Sequence, residues 1–443
     1  MNKEDVAGLK IDPISKQELL TLIRERIKAD KKTWVTTVYS EFLYAGFKDP
    51  KVFEMLNKAD FAVADGIGIF WAKRFLEIPL RPKNYWPMVL QAYWQIKYSL
   101  AAIVFYPRWI KSALPEKIVG ADLIWDLAKL AADNNLSIFL LGGYNDTAEI
   151  TAKNLAANKT RGHENRKFLK INFSSKNPND PSVIEDINRA DPDMLFVAYG
   201  PVRQEKWIVD SLEKLNIKLA IGVGGSFDYI AGKKSSPPKF IRYSGLEWLW
   251  RLITQPYRIK RIINATFGLM LGLLRYKIFM SFPYRPNVVG IILNNQNQVL
   301  VCQRNPNNPK DKNYGLTKND TLNYWQFPQG GIDKNETIEQ TAYRECAEET
   351  GLTNLKIFKI SNKKVRYLYP NANRPLLFNQ AKYKGQEQSI VYLKTNEPES
   401  AVKIDGKEFV NYKWVPINKL TQTVHEHRLE IAKIVQNDLK DLA

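Results

Sequence analysis

Between Thr33 and about Ile230, short apolar runs alternate with longer stretches whose apolar positions recur at helical spacing. The runs are WVTTVY (34–39), FAVAD (61–65), SIFLLGG (137–143), MLFVAYG (194–200) and KLAIGVGG (218–225). Amphipathic segments such as Ala121–Asn134 and Gln204–Leu215 lie between them. Continuous apolar strands separated by helices predict an α/β domain, a Rossmann-like parallel sheet with helices on both faces. Residues 161–182 read as a polar loop. After Gly232 the pattern becomes amphipathic helices broken at Pro256, and no internal repeat is found. At Tyr284 it changes again: VVGIILN (288–294) and VLVCQR (299–304) flank Asn295-Gln296-Asn297, a hairpin-like start to a second domain. The expected division is 1–238, a basic amphipathic connection 239–282, and 283–443.

Two segments test for a membrane span. WPMVLQAYWQIKYSLAAIVFY (86–106) is apolar except for Gln91, Gln95, Lys97 and a few hydroxyls, whereas FGLMLGLLRYKIFMSF (267–282) is short and carries Arg275 and Lys277. A spanning helix needs about 20 mostly apolar residues. The second segment fails and the first is marginal. Aromatic stretches with interspersed cations fit helices lying in the interface.

Composition refines this picture in three places. The 443 residues are 44% hydrophobic and 25% charged, enough for a normal core in each domain. The formal net charge is +19, and between Lys239 and Arg285 nine cations face one acid, Glu247. Such a cluster suits phosphate on nucleotide, nucleic acid or lipid; a solvated basic face is the plainer alternative. The two cysteines, Cys302 and Cys346, form no disulfide framework and sit in apolar patterns, as core residues of a cytoplasmic protein would. MNKEDVAGLKIDP has no apolar core of a secretory signal.

Three runs end in glycine turns: Gly142-Gly143, Gly200-Pro201, and Gly222-Val223-Gly224-Gly225. Ligands of open α/β sheets bind at such carboxyl ends, although plain strand-to-helix turns read the same way. None is a GxGxxG fingerprint, so dinucleotide binding is not indicated. Further on, Glu345, Glu348 and Glu349 stand at i, i+3 and i+4, one face of a helix. Three like charges there call for a counter-charge, and oxygen donors suit Mg²⁺ or Mn²⁺. Thr337 and Gln340 form a capping box, Gly330-Gly331 supplies a turn, and Arg344 is placed to pair with Glu336. His425 and His427 would face apart on a helix and read as surface residues.

This stretch resembles the Nudix box, G-x5-E-x7-R-E-U-x-E-E-x-G-U, through Gly330, Glu336, Arg344, Glu345, Cys346, Glu348, Glu349, Gly351 and Leu352. The likeness extends over about 283–437. YRPNVVGIIL (284–293), WQFPQGGI (325–332) and KGQEQSIVYL (384–393) are similar to the bacterial RNA pyrophosphohydrolase and dinucleoside-polyphosphate hydrolase branch. That resemblance implies an α/β/α Nudix fold and hydrolysis of a phosphoanhydride in a nucleotide polyphosphate or an RNA 5′ end. It implies catalytic roles for Arg344, Glu345, Glu348 and Glu349, with Mg²⁺ or Mn²⁺ on Glu345, Glu348, Glu349 and Glu408. Arg285 would meet a phosphate.

The first domain resembles the TagA/WecG glycosyltransferases through VTTVYSEFLYAG (35–46), FAVADGIGI (61–69), IVGADL (118–123), FLLGG (139–143), DPDMLFVAYGPVRQEKW (191–207), IGVGGSFDYIAG (221–232) and GLEWLWRLITQPYRIKR (245–261). The likeness covers about 10–265. It implies transfer of N-acetylmannosamine, or its uronic acid, from UDP to a polyprenyl-diphosphate-linked N-acetylglucosamine. Asp65 would be the base, or else a structural turn cap. Thr37, Gly142, Gly143, Gln204, Glu205, Gly224, Gly225, Asp228, Glu247, Arg251, Arg258 and Arg261 would bind substrate, without a metal cofactor. A lipid-borne acceptor implies peripheral attachment to the inner face of the plasma membrane through the basic segment 239–282. The chain departs from the family at Tyr39, Lys117, Val202 and Ser236, and carries about thirty extra residues near 82–113. Three readings stay open: two active enzymes, a degenerate binding module delivering a Nudix enzyme to the membrane, and RNA-end binding. A homo-oligomer stays open as well.

Overall fold

The computed structural model describes residues 2–81, 84–157, 169–235, 250, 253, 259–308, 323–369, 383–404 and 406–442, with backbone alone for 259–265. Two compact units divide the chain, Met1–Ile278 and Phe279–Ala443.

The first unit opens with a hairpin, β1 (Glu4–Val6) and β2 (Leu9–Ile11). Its sheet contains β3 (Thr33–Val38), β4 (Phe61–Ala64), β5 (Ile138–Gly142), β6 (Ile171–Ser174), β7 (Met194–Ala198) and β8 (Leu219–Gly222). The strands lie in the order β4-β3-β8-β7-β5-β6, all parallel. Strands β3 and β5 are buried along their whole length because helices cover both faces. One core joins Val35, Leu140, Phe196 and Ile221 to Leu19, Ile23, Leu123 and Leu127 of the Lys16–Lys28 and Gly120–Asp133 helices. The opposite core sets Trp34, Phe139 and Leu195 against Ile187 and Ile208 of the Ser182–Ala190 and Arg203–Ser211 helices.

The expected polar loop 161–182 needs correction, because its residues 171–174 form β6, paired to β5. As an edge strand with no fully buried residue it has no apolar run to read.

The extra segment folds as helices Tyr85–Phe105 and Pro107–Lys111. Ile96, Ile110 and Leu114 join a third core with Phe70, Trp71 and Phe75 of the Ile67–Glu77 helix, and Trp71 Nε1 donates to Ser99 Oγ at 3.0 Å. The Ile259–Met280 helix adds Leu269 and Leu273 to that core. Among the described residues no helix is long and apolar enough to cross a membrane.

The second unit holds a mixed seven-stranded sheet of β9 (Tyr284–Leu293), β10 (Gln298–Arg304), β11 (Trp325–Gln326), β12 (Gln329–Gly331), β13 (Leu355–Leu368), β14 (Gly385–Thr395) and β15 (Phe409–Pro416). Among the described residues of this unit only β9 and β14 pair in parallel, the other ladders being antiparallel. The β9–β10 turn closes where Asn294 Oδ1 accepts from the amides of Gln296 and Gln298. Ala342 and Cys346 of the Ile338–Thr350 helix pack on one face, and Ile431, Ala432 and Val435 of the Leu429–Asp438 helix on the other. Both cysteines are buried, and burial pushes the Cys346 thiol well above its ordinary range.

Candidate active sites

Six parallel strands place all their carboxyl ends along one edge, where open α/β sheets bind their ligands. Thr37 stands near the end of β3, and Asp65 directly follows β4 beside it. A third element meets them. Ile118 N donates to Ala64 O at 2.9 Å, tying the following turn to β4 and bringing in the N-terminus of the Gly120–Asp133 helix. Gly120 N donates to Asp65 Oδ2 at 3.2 Å. A methyl at Gly120 would stand 3.2 Å from Thr37 Oγ1 and 3.5 Å from Asp65 Oδ2. Glycine therefore keeps a small space open between a hydroxyl, a carboxylate and a helix N-terminus. The carboxylate accepts from the first N–H of that helix, and it also faces that space. Gly120 escapes sequence reasoning because it lies 55 residues from Asp65.

The glycine turns behave differently from one another. Gly142 and Gly143 adopt φ of +93° and +83°, and Gly143 N donates to Ala198 O at 3.3 Å. That amide binds β7, and the space at Gly142 is taken by Ala198 O and the Tyr199 ring, each 2.9 Å from where a Cβ would be. Gln204 and Glu205 are buried. Gln204 Oε1 accepts from Gly224 N at 2.9 Å, and its Nε2 donates to Glu205 Oε1 at 2.8 Å. The pair thus braces the Gly222–Gly225 turn from below. Gly225 precedes the Ser226–Ile230 helix, whose Asp228 pairs with Lys234. Val202, ahead of Gln204, takes φ +67° and ψ −45°, which no proline could adopt. Glu247, Arg251, Arg258 and Ser236 lie outside the described residues, as does the Arg261 side chain.

Burial pushes the Glu205 carboxyl up to about 7, only partly offset by the amide of Gln204, and its Oε2 has no partner. The acid is neutral in both states below about pH 4.5 and ionises first in the unfolded chain above it. Stability should therefore fall as pH rises from about 4.5 through about 7, by on the order of 3 kcal/mol. Glu205→Gln should raise the melting temperature of this unit by roughly 5 °C at pH 8 and leave it unchanged near pH 4. Calorimetry at the two pH values checks this; a gain equal at both would refute the buried-acid account.

In the second unit, Thr337 and Gln340 close the capping box that starts the Ile338–Thr350 helix. Arg344 grips Glu336 with Nε and Nη2, both at 2.7 Å, and its Nη1 donates to Glu345 Oε1 at 2.7 Å. Nη2 also donates to Gly331 O at 3.1 Å, which ties the helix to the glycine turn. The guanidinium holds Glu336 down at about 2. Glu345 is pushed up by burial, countered by Arg344, with Glu348 and Glu408 adding repulsion. A Cβ at Gly330 would fall 1.8 Å from the Glu345 carboxyl carbon, so only glycine admits that carboxylate. One at Gly331, on the other side of the strand, would meet the Arg285 guanidinium at 2.2 Å. Glu349 is buried and accepts from Gln329 N at 2.9 Å, an orienting contact that sequence reasoning missed. Glu348 is 61% exposed, 3.5 Å from Arg344.

These carboxylates do not converge as placed. Among the described residues no three acidic, histidine or cysteine side chains are grouped to hold a metal. Arg344 supplies the positive charge between Glu336, Glu345 and Glu348. The donor set nevertheless fits a hard cation: oxygen alone, three of the four carboxylates on one helical face, with space kept for Glu345 by Gly330. The two histidines also need correction. His425 is the extended cap of the Glu426–Arg428 turn, not a helical residue, so its ring lies 4.8 Å from that of His427 and stacks on Tyr324 at 4.0 Å.

The model of the glycosyl transferase WecG/TagA/CpsF family matches residues 4–99 and 101–282, and that of the NUDIX domain matches 283–437. The N-acetylglucosaminyldiphosphoundecaprenol N-acetyl-beta-D-mannosaminyltransferase of Bacillus subtilis (strain 168) is 28% identical over 231 residues, 52% of this chain and 75% of that protein. Its counterpart of the same name in Staphylococcus aureus (strain MRSA252) is 24% identical over 266 residues, 59% of this chain and 88% of the relative. The RNA pyrophosphohydrolase of Pelagibacter ubique (strain HTCC1062) is 30% identical over 165 residues, 37% of this chain and 96% of that protein. The chain therefore belongs to the glycosyl transferase WecG/TagA/CpsF family and carries, behind that enzyme domain, a second one of the NUDIX hydrolase type.

Proposed function

We propose that the first unit transfers an N-acetylhexosamine of the N-acetylmannosamine type from a UDP-sugar to N-acetylglucosamine on a polyprenyl diphosphate, in surface-glycan synthesis. The observation that carries this reading is the meeting of Thr37, Asp65 and Gly120 at the carboxyl edge of the parallel sheet. The names of the Bacillus and Staphylococcus relatives supply the substrate class. In the transfer step the acceptor hydroxyl oxygen attacks the anomeric carbon, the bond from that carbon to UDP breaks, and the hydroxyl proton passes to Asp65. Charge growing on UDP is met by Arg251, Arg258 and Arg261. Thr37 orients the sugar, with Gly142, Gly143, Gly224, Gly225 and Asp228 around the donor and Gln204–Glu205 bracing the turn. No metal is needed there.

The second unit hydrolyses a phosphoanhydride in a nucleotide polyphosphate or an RNA 5′ end, the latter supported by the Pelagibacter relative's name. Glu345, Glu348, Glu349 and Glu408 would hold Mg²⁺ or Mn²⁺. A cation bound there supplies an activated water and neutralises phosphate charge. The chain itself fixes the frame: Gln329 orients Glu349, Gly330 admits Glu345, Arg344 locks Glu336, and Arg285 meets a phosphate. The enzyme works at the inner face of the plasma membrane, peripherally attached, since its acceptor is lipid-borne.

The test is a single substrate panel with the purified chain and Mg²⁺. UDP-N-acetylmannosamine plus a short-chain polyprenyl-diphosphate N-acetylglucosamine should give a lipid-linked disaccharide and UDP. Triphosphorylated RNA or a dinucleoside polyphosphate should release phosphate or nucleotide. Transfer from no UDP-N-acetylhexosamine, with hydrolysis intact, would leave the first unit a binding module and overturn the transferase reading.

A further inference from the structure

The Tyr85–Phe105 helix divides its surface sharply. Met88, Ala92, Gln95, Ile96 and Ser99 are buried against the first unit. The opposite side exposes Trp86 (65%), Leu90 (59%), Trp94 (56%) and Phe105 (85%), with Tyr93 and Tyr98 between them. Positions 86, 90, 93, 94, 97, 98 and 105 follow helical spacing, so these side chains form one stripe along the helix rather than scattered exposures. A stripe of large rings left in water is rare on a surface without a partner.

Two observations say what covers it. The rings are mostly Trp and Tyr, which favour the boundary between headgroups and acyl chains over a dry core. Charge is the second. Between Glu77 and Glu116 the chain carries Arg81, Lys83, Lys97, Arg108 and Lys111 and no acid at all. Lys97 lies within the stripe, its ammonium 4.6 Å from the Tyr93 ring centre and 5.0 Å from that of Trp94, a stem along apolar surface with its charge kept at the rim. A protein partner could match the rings, but an acid-free run of five cations matches an anionic lipid surface.

We propose that the exposed face of the Tyr85–Phe105 helix docks the protein on anionic bilayers, lying in the interface with its aromatic rings among the headgroups. This deepens the peripheral attachment proposed above by adding a docking face on the extra segment, yet it rests on exposure and charge and does not require sugar transfer. The buried face holds the helix to the first unit, so docking fixes which side of that unit meets the lipid.

Flotation of the full chain without substrate tests it. Vesicles of phosphatidylcholine mixed with phosphatidylglycerol should bind the wild type at least roughly tenfold more tightly than phosphatidylcholine alone. Trp86→Glu/Leu90→Glu/Trp94→Glu should weaken that binding by roughly tenfold or more, with an unchanged circular-dichroism melt because all three side chains are exposed. Should that variant melt early, Lys97→Gln/Arg108→Gln/Lys111→Gln provides an independent arm, expected to erase the preference for phosphatidylglycerol. Wild-type affinity in both variants overturns the proposal, as does equal binding to the two vesicle types. A wild type that ignores vesicles but forms a dimer, dispersed by the triple glutamate variant, would make the face a self-interface instead. Sugar transfer is read separately, so its failure leaves this result standing.

Discussion

Replacing Asp65 with asparagine is expected to slow sugar transfer by roughly 10²–10⁴-fold, the usual contribution of a positioned general base. The choice of asparagine matters. Asp65 also accepts from Gly120 N at the start of a helix, and the amide oxygen of asparagine can accept the same bond. The variant keeps the cap and removes the proton acceptor, so the two roles of one side chain separate. If Asp65 only braces the turn, Asp65→Asn should transfer at nearly the wild-type rate, and Asp65→Ala should lower stability by about 1 kcal/mol. Measuring UDP release and the melting temperature on both variants decides between these. Transfer by Asp65→Asn at the wild-type rate would remove the proposed base.

Glutamine at position 348 should cut Mg²⁺-dependent hydrolysis by roughly 10²–10³-fold, several kcal/mol of lost charge stabilisation. Among the three helical glutamates this one gives the cleanest reading. Glu349 is buried and holds Gln329 N, and Glu345 is wedged against Gly330, so substitutions there mix folding with chemistry. Glu348 is 61% exposed and meets Arg344 only at 3.5 Å. Its loss should leave the melt unchanged while raising the Mg²⁺ concentration needed for half-maximal rate. Phosphate release at full rate and unshifted Mg²⁺ dependence would sink the metal assignment.

The two sites were legible in the sequence to different degrees, for a physical reason. Nudix-type chemistry rests on one short helix and the turn before it, so fixed spacing alone puts Glu345, Glu348 and Glu349 on one face and Arg344 within reach of Glu336. What the spacing missed is how the helix is seated: Gln329 N on Glu349, and Gly330 beneath Glu345, both contacts across the sheet. The transferase site is assembled from strand ends far apart in the chain. Asp65 and Thr37 could be named from resemblance, but their meeting with Gly120 depends on how β3, β4 and a helix 55 residues later pack together. Gln204 and Glu205 illustrate the converse, since polar residues read as facing substrate are buried under Gly222. Only packing could show that.

Apolar periodicity and motif spacing by themselves determined two domains, a parallel sheet in the first, and an acidic helix behind a glycine pair in the second, because these are local patterns with short reach. Tertiary structure alone decided which carboxylates are buried and which are exposed, that 171–174 closes the sheet edge as a strand, and that His425 and His427 touch. It also decided that one face of the Tyr85–Phe105 helix is covered while the other meets solvent. A run of mixed aromatic and apolar residues cannot say which of its sides the fold will bury; that is settled by the Ile67–Glu77 helix packing against Ile96 and Ser99.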